Sequence, residues 1–117
     1  MARVLVVDDD ANGLETRRMV LEQSGYLVTV ARDVHAARAA FRSVAPSTVI
    51  LDLRLPGAED GLSLIREFRA VAPDLKIVVL CGWSGDIEGR TERTMVDEVL
   101  AKPARSESLL RAIARVA

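Results

Sequence analysis

The sequence predicts a parallel α/β domain with helices on both faces of its sheet, and three observations carry that prediction. Short apolar runs alternate with longer amphipathic stretches along the whole chain. The connections between them are short, so each strand must run parallel to the last, with a helix crossing back between them. One run, Ile77-Val-Val-Leu80, is apolar throughout, as a strand covered on both faces should be.

The five runs are 3–7, 26–31, 48–53, 76–81 and 98–101. The second alternates, with Tyr26, Val28 and Val30 on one face, which suits a sheet edge. Helical stripes lie between and after them. Val34, Ala37, Phe41 and Val44 form one, Leu62, Ile65, Phe68 and Ala72 another, and Leu109, Ile113 and Val116 a third, each at three-to-four spacing. A helix is also expected over 86–95, where only Ile87, Thr91 and Met95 are available to bury. Boundaries fall at Ser24-Gly25, Ala45-Pro46-Ser47 and Ala72-Pro73-Asp74, each a stop or turn signal. No repeat, linker or low-complexity segment interrupts the pattern.

At 117 residues the chain fits a single domain, 1–117. Sixteen basic against 17 acidic residues leave a net charge of −1, which argues against a nucleic-acid binder with its clustered basic excess. No apolar stretch approaches the roughly 20 residues of a membrane span, and the first residues lack the apolar core of a signal peptide. A cytoplasmic location without membrane contact is therefore expected. The single cysteine, Cys81, cannot form an internal disulfide, which agrees with a reducing compartment.

The strand ends carry the chemistry. The first run empties into Asp8-Asp9-Asp10, the third into Asp52, and the fifth into Lys102-Pro103. A parallel sheet gathers its carboxyl ends along one edge, so Asp8, Asp9, Asp52, Cys81 and Lys102 are expected to meet. Clustered carboxylates repel and need a cation, and only one lysine is offered. Mg²⁺, which takes a few carboxylates together with water and phosphate oxygens, fits the deficit. Asp52 stands alone on its strand, whereas Asp8 and Asp9 are paired as metal holders would be. Asp52 is thus the best nucleophile toward a phosphoryl donor.

Val-Asp8-Asp9, Leu-Asp52-Leu-Arg-Leu-Pro56 and Ala-Lys102-Pro103 together resemble the response-regulator receiver domain of two-component signalling, in order and over the whole chain. The resemblance implies a doubly wound, flavodoxin-like sheet of five parallel strands in the order 2-1-3-4-5. It implies Mg²⁺-dependent transfer of a phosphoryl group to Asp52 from a phosphohistidine, on a histidine kinase or a histidine phosphotransfer domain. Asp8, Asp9, Asp52 and the main-chain carbonyl of Arg54 would hold the metal, Lys102 would pair with the phosphoryl oxygens, and Pro103 would follow a cis bond. The domain would phosphorylate and dephosphorylate only itself and would not be an enzyme in the ordinary sense. Relatives usually dimerise or dock through the face that 86–117 forms here.

Three features, Cys81, Val99 and the turn after Pro56, depart from the family pattern. Cys81 stands where a Thr or Ser hydroxyl normally reports the phosphoryl group, and a thiol is a weak donor. Val99 stands at the second switch position, usually Tyr or Phe, and has no ring to rotate. Arg54 and Trp83, with Gly82 between Cys81 and Trp83, fall beside the acyl phosphate, where Trp83 would screen it from water. The turn after Pro56 is one residue longer than usual, with Asp60 expected as the N-cap of the next helix and Gly61 as the residue that lets the chain turn.

Three rival readings compete with this one. Asp8-x-Asp10 also suits a haloacid-dehalogenase-type phosphohydrolase attacking with Asp8, but such an enzyme needs acids after its lysine, and only Glu107 follows Lys102. An EF-hand loop starting at Asp8 fails at its twelfth position, Met19. A receiver-like interaction module that is never phosphorylated accounts for the altered switch, though not for the retention of Asp8, Asp9, Asp52 and Lys102.

Overall fold

A computed structural model describes residues 2–116. Five strands, β1 (Arg3–Val7), β2 (Leu27–Ala31), β3 (Thr48–Asp52), β4 (Lys76–Cys81) and β5 (Glu98–Ala101), form one parallel sheet in the order β2-β1-β3-β4-β5. Four helices cross between and after them: α1 (Ala11–Gln23), α2 (Val34–Val44), α3 (Ala58–Val71) and α4 (Ser106–Val116). The doubly wound receiver-type fold is as the sequence predicts.

Strand alternation explains why helices cover both faces. Leu5, Val7, Val49, Leu51, Ile77 and Val79 point to one side and pack with Ala37, Leu62, Ile65 and Phe68 of α2 and α3. Val4, Val6, Ile50, Val78 and Leu80 point to the other and pack with Leu14 and Leu21 of α1 and Leu109 and Ile113 of α4. β1, β3 and β4 lie inside the sheet and are apolar on both faces, whereas edge strand β2 leaves Leu27 and Val30 exposed. The predicted one-sided alternation of that strand therefore stops short at Val30.

Local signals set the helix ends. Asp10 and Asp33 cap α1 and α2 by accepting from the amides of Asn12 and Ala36, and Gly25, with φ at 94°, turns the chain into β2. In α3 the N-cap is Gly57, not Asp60. Asp60 sits three residues further on, and its carboxylate accepts from the Gly57 amide at 3.0 Å. Gly61 also differs from expectation: it lies inside α3, donates to the Leu53 carbonyl, and a Cβ there would meet that oxygen at 2.1 Å. Its hydrogen side chain permits close approach of helix to strand end.

The helix expected over 86–95 does not form. Two short 3-10 turns, Ser84–Asp86 and Thr91–Met95, take its place. Gly89 weakens a helix interior by about 1 kcal/mol and adopts φ of 80°, outside any right-handed helix. With Ile87 the one fully buried apolar residue of 86–95, packing cannot compensate. Arginines hold the segment instead. Arg54 pairs with Asp86, Arg66 of α3 with Glu92, and Arg69 of α3 donates to the Met95 carbonyl. The face formed by 86–117 is therefore two turns, a strand and one helix, α4.

Candidate functional site

Register fixes the acids before any side chain is considered. Val7 of β1 lies opposite Leu51 of β3, so Asp8 and Asp52, one step further on, are neighbours. Both share the parity of Val6 and Ile50, and so emerge on the face covered by α1 and α4. Asp8 is 1% and Asp52 5% exposed. Carboxylate oxygens of Asp8, Asp9 and Asp52 all lie within 4.8 Å of one another.

On the other side of Asp52, the amide of Lys102 bonds the Cys81 carbonyl, placing the lysine one residue beyond the β4–β5 pairing. Its Nζ reaches Asp52 Oδ2 at 2.6 Å. Pro103 follows a cis peptide bond, and so does Pro56. Asp9, Asp52, Arg54, Gly82, Asp86 and Lys102 line a cleft of about 240 Å³. A larger cavity, about 770 Å³, opens over Phe41 and Phe68 between the ends of α2 and α3, but it gathers no acid cluster.

Two residues complete the site that strand-end reasoning missed. Arg17 of α1 pairs with Asp8 Oδ2, while Asp8 Oδ1 accepts from the Asp10 amide at 3.0 Å. The site thus has a second cation beside Lys102. Gly13, one turn before Arg17, leaves room for the pair: the place of its missing Cβ lies 3.4 Å from both Arg17 Nη1 and Asp8 Oδ2. The other residue is Asp86, which accepts both the Nε and the Nη2 of Arg54 at 2.8 Å. Nothing in the local sequence distinguishes Asp86 from a solvated loop acid.

Electrostatics separates the acids. Burial pushes Asp8 up, but the Asp10 amide and Arg17 outweigh it and hold the carboxyl below its usual range. Burial pushes Asp52 up as well; Lys102 opposes, the Asp8 carboxylate adds to it, and the net direction is upward. Asp8 is therefore the committed anion and Asp52 the more basic carboxylate. Hydrogen bonds from Arg54 lower Asp86.

The remaining predicted positions fall outside the acid cluster. Cys81 is buried on the opposite face of the sheet, where its thiol donates to the Trp83 carbonyl at 2.8 Å and burial pushes its pKa up. Val99 packs into the same apolar cluster. Trp83 is 64% exposed, and its ring lies over Gly85, where a Cβ would meet it at 2.4 Å. It does not line the cleft, contrary to the expectation of a screen over Asp52.

The donor set suits a hard divalent cation, being three carboxylates with oxygens close enough to share one ion. No helix among the described residues is long and apolar enough to cross a membrane. Among solved structures, the fold is similar to the Thermotoga maritima response regulator TrrA in complex with Mg(2+)-BeF, with TM-score 0.89, 30% identity and all of both chains covered. It is also similar to the Vibrio cholerae chemotaxis protein CheY4, with TM-score 0.89, 26% identity, and 100% of this chain and 99% of that one covered. Among curated proteins, the virulence transcriptional regulatory protein PhoP of Salmonella typhimurium is 35% identical over 113 residues, covering 94% of this chain and 49% of PhoP. The response regulator MprA of Mycolicibacterium vanbaalenii is 36% identical over 113 residues, covering 92% of this chain and 47% of MprA. The chain thus spans about half the length of these relatives. Residues 4–114 match the family described as "Response regulator receiver domain", and the chain belongs to that family.

Proposed function

We propose that this receiver accepts a phosphoryl group on Asp52 from a phosphohistidine of a histidine kinase or histidine phosphotransfer domain. The observation that carries the reading is the juxtaposition at Asp52: two further acids with oxygens within 4.8 Å, and an ammonium 2.6 Å away. Nothing in the fold requires that grouping.

Asp8, Asp9, Asp52 and the main-chain carbonyl of Arg54 are the residues to hold Mg²⁺, which when bound supplies charge neutralisation for phosphoryl oxygens. The chain's own groups do the rest. Asp52, the more basic of the two buried carboxylates, attacks phosphorus with one oxygen; the phosphorus–nitrogen bond breaks, and the imidazole of the donor leaves with its electron pair and takes up a proton. Lys102, already on Asp52 Oδ2, stays beside the new acyl phosphate and offsets its charge. Arg17 keeps Asp8 ionised by hydrogen bond and charge. The domain modifies and unmodifies itself and processes no other substrate. With Cys81 bonded to a carbonyl and Val99 in an apolar cluster, the read-out departs from the family's hydroxyl-and-ring switch.

Intact-mass measurement after incubation with a small phosphodonor and Mg²⁺ tests the reading. One phosphoryl adduct is expected in the wild type and none in Asp52→Asn. An adduct that survives Asp52→Asn and disappears in Asp8→Asn would indicate hydrolase-type chemistry, and no adduct at all would leave an interaction module.

A further inference from the structure

The Arg54–Asp86 pair is not needed to assemble the acid cluster, yet it lies in the same cleft. Arg54 is two residues beyond Asp52 and lines that cleft with Asp52, Lys102 and Asp86. Its guanidinium makes two parallel bonds to Asp86, both 2.8 Å, while the side chain as a whole is 57% exposed. It is thus firmly paired but not packed in, and can turn without disturbing the core.

We propose that Arg54 carries the state of Asp52 to the segment after β4, by holding Asp86 in the unmodified protein and exchanging it for phosphoryl oxygens once Asp52 is phosphorylated. This rests on the phosphoacceptor reading above. A phosphoryl group brings nearly two negative charges and three acceptor oxygens, against one charge and two oxygens on Asp86, and guanidinium forks favour the richer acceptor. The other candidates have no such exchange to make. Lys102 reaches the phosphoryl group from its place beside Asp52 and has no partner in the segment after β4 to release, the Cys81 thiol donates to Trp83, and the Val99 side chain has no donor. Among the described residues lining the cleft, Arg54 is the cation whose partner is not an acid-cluster carboxylate.

The exchange has a mechanical consequence because of where Asp86 sits. It ends the Ser84–Asp86 turn and is only 6% exposed, so a carboxylate deprived of Arg54 must move to water or to another donor such as Arg90, whose charge already bears on it. Either movement pulls on a turn held by few bonds: Asp86, Ile87 and Glu88 amides donate to Trp83 and Ser84 carbonyls. Further along, Arg66–Glu92 and Arg69–Met95 stay tethered to α3. The change is therefore confined to residues 83–90.

Amide hydrogen exchange and calorimetry with Mg²⁺ and beryllofluoride, an acyl-phosphate mimic, test this. Binding should speed exchange of the Asp86, Ile87 and Glu88 amides on the order of tenfold in the wild type. In Asp86→Asn these amides should exchange fast without ligand. By reciprocity, beryllofluoride should bind that variant tighter by about the factor its binding loosens the turn, on the order of tenfold. Bound beryllofluoride with unchanged exchange at these amides, or unchanged affinity in a folded Asp86→Asn, overturns the proposal and leaves the phosphoacceptor reading standing. If Asp86→Asn does not fold, the wild-type exchange decides alone. No binding by the wild type overturns both.

Discussion

The two halves of the sheet's carboxyl edge are built differently. At β1 and β3, residue order is translated into site geometry by strand register and close backbone contact: Asp8 and Asp52 are adjacent because their strands are paired, and Gly61 lets α3 bond directly to Leu53. At β4 and β5 the connecting segment has little apolar anchoring and is tied down by Arg54, Arg66 and Arg69. Packing defines one half and charge pairs define the other. Close packing tolerates almost no displacement, whereas a pair whose guanidinium is exposed can give up its acid for a richer acceptor. On the proposed reading, the acceptor sits on the first kind of support and the read-out on the second.

The largest effect should come from the packed half. Gly61→Ala places a methyl on the Leu53 carbonyl and should destabilise the protein by about 3 kcal/mol in urea unfolding. A tolerated alanine would mean that α3 slides freely, and the contrast would collapse. Arg17→Met comes next, because it leaves buried Asp8 without its cation. A loss of about 2 kcal/mol is expected without metal, less than for a fully enclosed pair because Arg17 is partly exposed. Mg²⁺ should restore more stability to this variant than to the wild type.

The pH dependence of that loss has a definite sign. Asp8 is held below its usual pKa, so its pairing stabilises the fold above the ordinary carboxylate range, and that contribution disappears as pH falls through the lowered value. The deficit of Arg17→Met should therefore be full at neutral pH and shrink on acidification; a deficit independent of pH would mean lost packing only. The smallest effect belongs to the tethered half. In Cys81→Ser the hydroxyl takes over the bond to Trp83, and thermal unfolding should show a change within about 1 kcal/mol.

Legibility in the sequence follows the same division. The strands were readable to within a residue because each is a short apolar run, and the acids were readable because parallel topology fixes where runs end. The segment 86–95 misled because Ile87, Thr91 and Met95 mimic helical spacing, while Gly89, with its positive φ, breaks the backbone between them. Arg17 and Asp86 escaped notice because their partners are remote, at Asp8 and Arg54, and no local pattern records a pairing across the fold. Trp83 was placed correctly in the chain, but its ring direction depends on Gly85, which offers the flat space it covers.

The alternation of the sheet separates Asp52 from the altered positions. Alternate residues send Asp52 toward the layer of α1 and α4, and Cys81 and Val99 toward the layer of α2 and α3. Between them stand β3 and β4, apolar on both sides and closely packed. The sheet is a partition with the chemistry in one room and the altered switch positions in the other. On the proposed reading, a message from Asp52 goes round the end of that wall, over the loop that carries Arg54.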